Sequence, residues 1–204
     1  MASERELMRV VETRASVRRF RQDPIPDEVL KKILWSAVRA PTAGGRENWF
    51  FVVVKSSEMR AKIHRLIIDS HIRYARDIAK MPSERIEKWR KLMEEGMYLA
   101  PLYIAVYIDM SRLTSAGEAD VFNSEFIMEV QSAAAAMENA ILTSWSLGIG
   151  SVWLGAPLLL EEEFRMLLDM PREYKLMGIL ALGYPLETPS PRRRKPLEEV
   201  FKVL

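Results

Sequence analysis

Arg14, Ser16 and Arg18 stand two residues apart in the stretch Arg14-Ala15-Ser16-Val17-Arg18-Arg19-Phe20. In an extended chain such residues share one face. That face would carry two guanidinium forks with a hydroxyl between them. The forks match planar carboxylate or tetrahedral phosphate oxygens in pairs, and the hydroxyl can donate a third bond. The pattern suits a bound phosphate; the same residues would serve equally as a solvated basic edge beside a helix end. Near the C-terminus, Arg192-Arg193-Arg194-Lys195 repeats the geometry, with Arg192 and Arg194 on one face. Two such pairs converging would neutralise a dianionic phosphate.

Two uncharged stretches accompany them. Gly148-Ile149-Gly150-Ser151-Val152-Trp153-Leu154-Gly155-Ala156 has glycines where a backbone needs to approach a flat ligand. Ala40-Pro41-Thr42-Ala43-Gly44-Gly45 is a small-residue loop with a Thr hydroxyl and free amides. Each of the four stretches reads by itself as an ordinary turn. Their weight lies in occurring together, in this order.

The elements that must position them follow from periodicity. A first helix over residues 4–12 breaks near Thr13. Pro26 opens a second helix, whose buried stripe is Leu30, Ile33, Leu34, Ala37 and Val38 and which stops before Pro41. Trp49 to Val54, apolar throughout, reads as a central strand covered on both faces. Ser57 caps a third helix with Met59, Ile63, Leu66 and Ile67 inward. Residues 69–98, charged, split by Pro82 and carrying Tyr74, Trp89 and Tyr98, read as two loosely held helices, either a lid or a peripheral insertion. Leu102 to Asp109 is a second buried strand. Ser124 to Leu147 is one long helix whose Ala133–Ala136 run admits another helix closely, in an oligomer core or within the chain. A short strand from Ser151 to Leu154, a helix over 161–168 and a strand from Leu176 to Tyr184 complete the list. Strands scattered among helices without regular alternation indicate α+β. Residues 185–204, with Pro185, Pro189, Pro191 and Pro196, form an extended surface segment of the single domain spanning 1–204.

Composition narrows the chemistry. The chain has 204 residues, enough for one domain with a sizeable core, and 30 basic against 28 acidic side chains. So balanced a charge gives no global field for nucleic acid. Zero cysteines exclude disulfides, thiolate metal sites and a cysteine nucleophile. The longest apolar run, Leu99 to Ile108, is too short for a bilayer, and Met1 to Arg14 lacks the apolar core of a signal peptide, so a cytoplasmic location is expected. His64 and His71 have no carboxylate spacing around them and read as surface histidines; no metal is expected. Trp89, Tyr98 and Phe122 would line a substrate channel or simply pack the core.

Taken in order, the four stretches resemble the nitroreductase family of FMN-dependent oxidoreductases, from Glu12 to Phe201 and least so over 69–98. The family's Arg-x-Ser-x-Arg/Lys segment matches Arg14, Ser16 and Arg18. Its Ala-Pro-Ser-type loop before a Trp-led strand matches Ala40-Pro41-Thr42 and Trp49. Its Gly-Leu-Gly, short strand and Trp-x-Gly step matches Gly148-Ile149-Gly150 and Trp153-Leu154-Gly155. Its Ala-Leu-Gly-Tyr-Pro matches Ala181 to Pro185, and its basic clamp before Pro-Leu-Glu-Glu matches Arg192 and Arg194. One departure stands out. Where the family loop reads Asn-x-Gln-Pro-Trp, this chain has Gly45, Glu47 and Asn48, which removes an Asn side-chain bond to the ring that a backbone amide of Gly44 or Gly45 could replace. A Glu47 facing the ring would lower the flavin potential.

The resemblance implies a mixed sheet of about four to five strands flanked by helices, in an intertwined homodimer with FMN at the interface. It implies cofactor contacts from Arg14, Ala15, Ser16, Arg18, Trp153, Leu154, Gly155, Ala156, Arg192 and Arg194 of one chain, and from Pro41, Thr42, Ala43 and Gly45 of the other. It further implies ping-pong hydride transfer from NAD(P)H through flavin N5 to nitroaromatics, quinones or similar acceptors. That cycle needs no protein acid or base; Arg18 would stabilise the reduced flavin. Reductive dehalogenation or oxidative destruction of the flavin is the specialised alternative within the fold. A non-catalytic nucleic-acid module is the alternative outside it.

Overall fold

The computed structural model describes residues 4–114, 119–187 and 189–204. Its centre is a four-stranded sheet of β1 (Trp49–Val54), β2 (Leu102–Asp109), β3 (Gly150–Leu154) and β4 (Tyr174–Gly183), in the order β1-β2-β4-β3. Every neighbouring pair is antiparallel. Among the described residues, the one parallel pairing is an isolated bridge between Ser16 and Ser151. Around the sheet lie α1 (Glu4–Thr13), α2 (Asp27–Ala37), α3 (Ser57–Arg73), α4 (Ser83–Glu94), α5 (Ala119–Ser146) and α6 (Glu161–Leu167). The class is α+β with the nitroreductase-like arrangement expected, but the sheet is antiparallel throughout rather than mixed.

The sheet is apolar on both faces, and β2 shows why. Tyr103, Ala105 and Tyr107 pack with Ile63 and Ile67 of α3, Met93 of α4 and Phe164 of α6. Leu102, Ile104, Val106 and Ile108 pack with Ile33 and Ala37 of α2 and Ala133, Ala136, Met137 and Ala140 of α5. Alternation sends successive side chains to opposite layers, so the strand reads as one unbroken apolar run. Each large side chain so buried contributes about 1.5–3 kcal/mol. The small Ala133 and Ala136 serve α2 within the same chain: Asn139 Nδ2 donates to the Ser36 carbonyl at 3.0 Å across that contact.

Several further expectations need correction. β1 is an edge strand, not a central one. Its two faces are still partly covered, by Trp49, Phe51 and Val53 toward α2 and α5 and by Val52 and Val54 toward α3. An apolar run reports coverage above and below, not a neighbour on each side. Ser56, not Ser57, caps α3: its hydroxyl accepts the Met59 amide at 3.3 Å. Val38 is exposed because α2 ends one residue earlier. Residues 69–98 are not loosely held. α3 runs through a π turn over Tyr74–Ile78, and His71, Ile72, Ala75, Met93 and Tyr98 are buried in the main core.

His71 is therefore no surface histidine. Its ring stacks on Tyr98 at 4.9 Å and meets Trp89 edge-on at 5.4 Å, while Nδ1 lies 2.8 Å from the Ile67 carbonyl. Burial lowers its pKa, against a smaller upward pull from that carbonyl. His64, with Nε2 3.0 Å from the Met97 carbonyl, is lowered for the same reason. Among the described residues no helix is long and apolar enough to cross a membrane.

Candidate functional site

The Arg14–Phe20 segment is extended, as its alternation predicted. Ala15, Val17 and Phe20 are buried, while Arg14, Ser16 and Arg18 lie on the half-exposed face between them. Three backbone bonds hold the segment. The Val17 amide donates to the Ser151 carbonyl at 2.9 Å, the Arg21 amide to Tyr184 at 2.9 Å, and the Leu186 amide to Arg19 at 3.1 Å. Phe20 also bridges Pro185. The basic segment is thereby laid along β3 and the start of the C-terminal tail.

Gly150 makes that approach feasible. A Cβ there would meet Val17 Cγ2 at 2.5 Å and Val17 Cβ at 2.8 Å. The glycine admits the chain's own Val17, rather than the flat ligand its sequence context suggested. Val17 is β-branched, buried and unable to swing aside. Gly150→Ala should cost about 1–3 kcal/mol, read as a lower urea midpoint. An unchanged midpoint would show that the segment shifts at no cost.

Gly178 plays a similar part in β4, where φ is +151° beside a register shift opposite Val106 and Tyr107. A Cβ there would lie 2.6 Å from Trp153 Nε1. The indole of Trp153, still 39% exposed, occupies that cradle. Of the neighbouring expected contacts, Leu154 is buried like Ala15, so both can offer only backbone to a ligand. Gly155 has no heavy atom within 4 Å of a would-be Cβ, and Ala156 is half-buried.

Arg14, Arg192 and Arg194 come together from opposite ends of the chain. They line one cavity of about 430 Å3 with Glu12, Glu138, Leu142 and Pro191. None of the three guanidinium groups forms an ion pair with a described residue. Three cations facing two carboxylates across a shared space give this cavity a net positive charge, which suits an anion. Arg18 is turned differently: its Nη1 donates to the Ser16 carbonyl at 3.0 Å.

The Pro41–Gly45 loop lies elsewhere. The Ala43 amide donates to Ser132 Oγ on α5 at 3.0 Å, and Thr42 Oγ1 accepts the Glu47 amide at 3.4 Å. Ser132 is six residues before Glu138, about 9 Å along the helix axis. Gly44, Gly45 and Glu47 all have positive φ. The Gly45 amide is engaged by the Thr42 carbonyl at 3.3 Å, which leaves the Gly44 amide as the donor open to a ligand. Glu47 itself is exposed.

Two features escaped sequence reasoning. Arg46 enters an acidic pocket on α5, with Nε 2.6 Å from Glu129 and Nη1 3.1 Å from Glu125. The four-residue spacing of those glutamates was the available signal. Tyr98, at φ +68°, pairs its amide with the Arg18 carbonyl at 2.8 Å. Only Gly96 nearby hinted at a turn there.

The model of the nitroreductase family matches residues 11–184. The chain belongs to the nitroreductase family. Among its relatives, a 5,6-dimethylbenzimidazole synthase of Rhodospirillum rubrum is 31% identical over 175 residues, which are 85% of this chain and 79% of that protein. An NADH dehydrogenase of Thermus thermophilus is 27% identical over 209 residues, 92% and 90% of the two chains. Solved nitroreductase-like structures agree in fold. A BluB-like flavoprotein from Clostridium difficile superposes with a TM-score of 0.78 at 27% identity, covering 97% of this chain and 98% of that one. A nitroreductase with bound FMN from Desulfitobacterium hafniense gives 0.73 at 23% identity, covering 98% of each.

Proposed function

We propose that the protein is an FMN-dependent oxidoreductase that takes hydride from NAD(P)H and passes it to nitroaromatics, quinones or similar small acceptors. The observation that carries this reading is the cavity where Arg14, Arg192 and Arg194 converge without an ion-pair partner among the described residues. Those residues suit the cofactor's phosphate, and they lie on the segment and tail that embrace β3. When bound, FMN supplies the hydride chemistry at its N5. Donor and acceptor would use the same open face in turn, which is the ping-pong order.

The chain's own residues then have electrostatic and steric tasks. Arg14, Arg192 and Arg194 would hold the phosphate. Ser16, with no hydrogen-bond partner for its hydroxyl among the described residues, is free to donate to the ribityl chain or phosphate. Trp153, Gly155 and Ala156 would border the ring. Arg18 stabilises negative charge on the reduced form. A partner's Pro41–Gly45 loop would close the pocket, its Gly44 amide standing where the family uses an Asn side chain. Leu7, Met8 and Val11 of α1, Trp35 of α2 and Phe201 of the tail are exposed apolar groups, which supports a homodimer that covers them.

The visible spectrum of the purified protein tests this directly. An oxidised-flavin spectrum, FMN released on denaturation and bleaching by NAD(P)H under nitrogen are expected. A colourless protein that takes up no added FMN would end the proposal. Arg18→Ala should lower FMN retention or the rate of reduction by NAD(P)H about tenfold, the effect of one lost charge-assisted bond. Unchanged flavin content and rate would remove Arg18 from the mechanism.

A second reading, synthesis of 5,6-dimethylbenzimidazole, is favoured by the 31% identity to the R. rubrum enzyme. Incubating the FMN-loaded protein with NAD(P)H and oxygen separates the two. Oxygen-dependent loss of FMN with appearance of dimethylbenzimidazole by mass spectrometry supports the second. Intact FMN after many turnovers supports the first.

A further inference from the structure

Beyond Leu186 the tail is barely fastened to the rest of the chain. The Leu186 amide, donating to the Arg19 carbonyl at 3.1 Å, is the last backbone bond between the two. The hydrogen bonds of residues 189–204 stay inside the segment: the Glu199 amide donates to the Pro196 carbonyl at 3.2 Å and the Val200 amide to the Leu197 carbonyl at 3.0 Å. None of these residues forms an ion pair with a described residue. All of residues 190–204 are exposed, and Leu197, Val200, Phe201, Val203 and Leu204 are so by 56% or more. Apolar burial within the chain therefore does little to anchor the far end, and such a segment opens at small cost.

At one place the tail nonetheless meets the body. Pro191, Arg192 and Arg194 wall one side of the cavity of about 430 Å3, and Val11, Glu12, Arg14, Glu138 and Leu142 wall the other. The two glutamates attract the tail's cations, yet neither forms an ion pair there, and the closed cavity keeps one positive charge in excess. A phosphate monoester brings up to two negative charges and three strong acceptor oxygens. It can take bonds from Arg14 on the body and from Arg192 and Arg194 on the tail at once, and so join the two. Pro189, Pro191 and Pro196 keep the tail extended and semi-rigid, so it moves as a piece rather than fraying residue by residue.

We propose that residues 189–204 form a strap that a phosphate monoester closes, by bridging Arg14 on the body to Arg192 and Arg194 on the tail. With the anion in place the strap lies over it and must open before it can leave. Without the anion the strap swings free. The proposal rests on the flavin reading for the identity of the ligand, and on the cavity alone for its phosphate. An anion that binds only the closed form favours closure about 100-fold at about 100 times its Kd. The dimer contact proposed for Phe201 then forms only with the strap closed, so cofactor and partner stabilise the same state.

The chain has no cysteine, so a nitroxide attached through Glu198→Cys reports from a single exposed site in the strap, outside the cavity lining. Its electron paramagnetic resonance line shape would be recorded for flavin-free protein and after addition of FMN, riboflavin or inorganic phosphate. The label should be mobile in the flavin-free protein. Saturating FMN should lower the mobile fraction about tenfold or more, in line with closure linked to binding. Riboflavin, which lacks the phosphate, should leave the label mobile. In the background Arg192→Ala with Arg194→Ala, at FMN concentrations that still fill the site by absorbance, the label should also stay mobile. Both arginines are exposed, so this background should keep its fold. A label as immobile without ligand as with it, one that stays mobile with FMN bound, or one immobilised equally by riboflavin overturns the proposal.

The inorganic phosphate arm keeps the two proposals separable. A protein that takes up no FMN, yet whose label is immobilised by phosphate, ends the flavin reading and leaves the strap standing. A protein that holds FMN by its visible spectrum, yet whose label ignores it, ends the strap and leaves the flavin reading standing. A label that neither FMN nor phosphate slows overturns the strap as well.

Discussion

Changing Arg14 and Arg194 to alanine together is expected to weaken FMN binding by about two to four orders of magnitude. Each guanidinium gives at least one charge-assisted hydrogen bond, worth about 1.5–3 kcal/mol. Two of them amount to about 3–6 kcal/mol, and each 1.4 kcal/mol is tenfold in affinity. Both residues line the same cavity, with Arg192 left as the remaining cation. Neither pairs with a described residue, so the variant should unfold at the wild-type temperature. Titrating flavin-free protein by fluorescence quenching measures the effect, and riboflavin supplies the control. Riboflavin lacks the phosphate, so its affinity should be nearly the same in both proteins. An equal loss for riboflavin and FMN would mean that the two arginines order the pocket as a whole rather than bind the phosphate.

This prediction rests on residues that were legible from the sequence because their chemistry is local. Alternation in Arg14–Phe20 fixes which side chains share a face, whatever lies beside them, and the structure bears that out. β2 was legible for a related reason: burial on both faces leaves no polar residue to blur its limits, Leu102 and Asp109. Pairing order was not legible. β1 is as apolar as a central strand because helices cover both its faces, and no residue in it encodes which edges are paired. The close approach of Val17 to Gly150 was equally hidden, since the glycine signals that space is needed without naming the occupant.

Charged residues were hardest to interpret. Residues 69–98 looked solvated by composition, yet Ile72, Ala75, Met93 and Tyr98 turn inward, while Tyr74, Ile78 and Leu92 stay exposed. Long charged side chains can reach water from an anchored helix, so charge content says little about how firmly the helix is held. Tyr98 shows the limit of local reading. Propensity argues against a left-handed tyrosine, and only the converging bonds from Arg18 and Tyr103, distant or on another element, make it the stable state.

Arg46 carries the same lesson into the second large effect. Arg46→Met should destabilise the protein by about 3 kcal/mol, the lower end for breaking a buried ion pair, because the arginine side chain is 26% exposed. The side chain of Glu129 is 0% exposed and that of Glu125 9%, so two carboxylates would be left facing each other away from water. Glu129 Oε2 already has no partner and would gain none. At this chain length the loss corresponds to about 6–12 °C in melting temperature. Arg46→Met combined with Glu129→Met should recover much of it, since an apolar replacement of a buried pair is often neutral. A double variant no more stable than Arg46→Met would mean that the arginine matters for its length rather than its charge. The ion pair also tethers the Gly44–Gly45 turn to α5, next to the Ala43–Ser132 bond. If the loop completes a partner's flavin pocket, the stability-restored double variant should still lose FMN affinity, because the tether is gone although the fold is restored. Retained affinity would show that the two glycines and the Ser132 contact hold the loop without the ion pair.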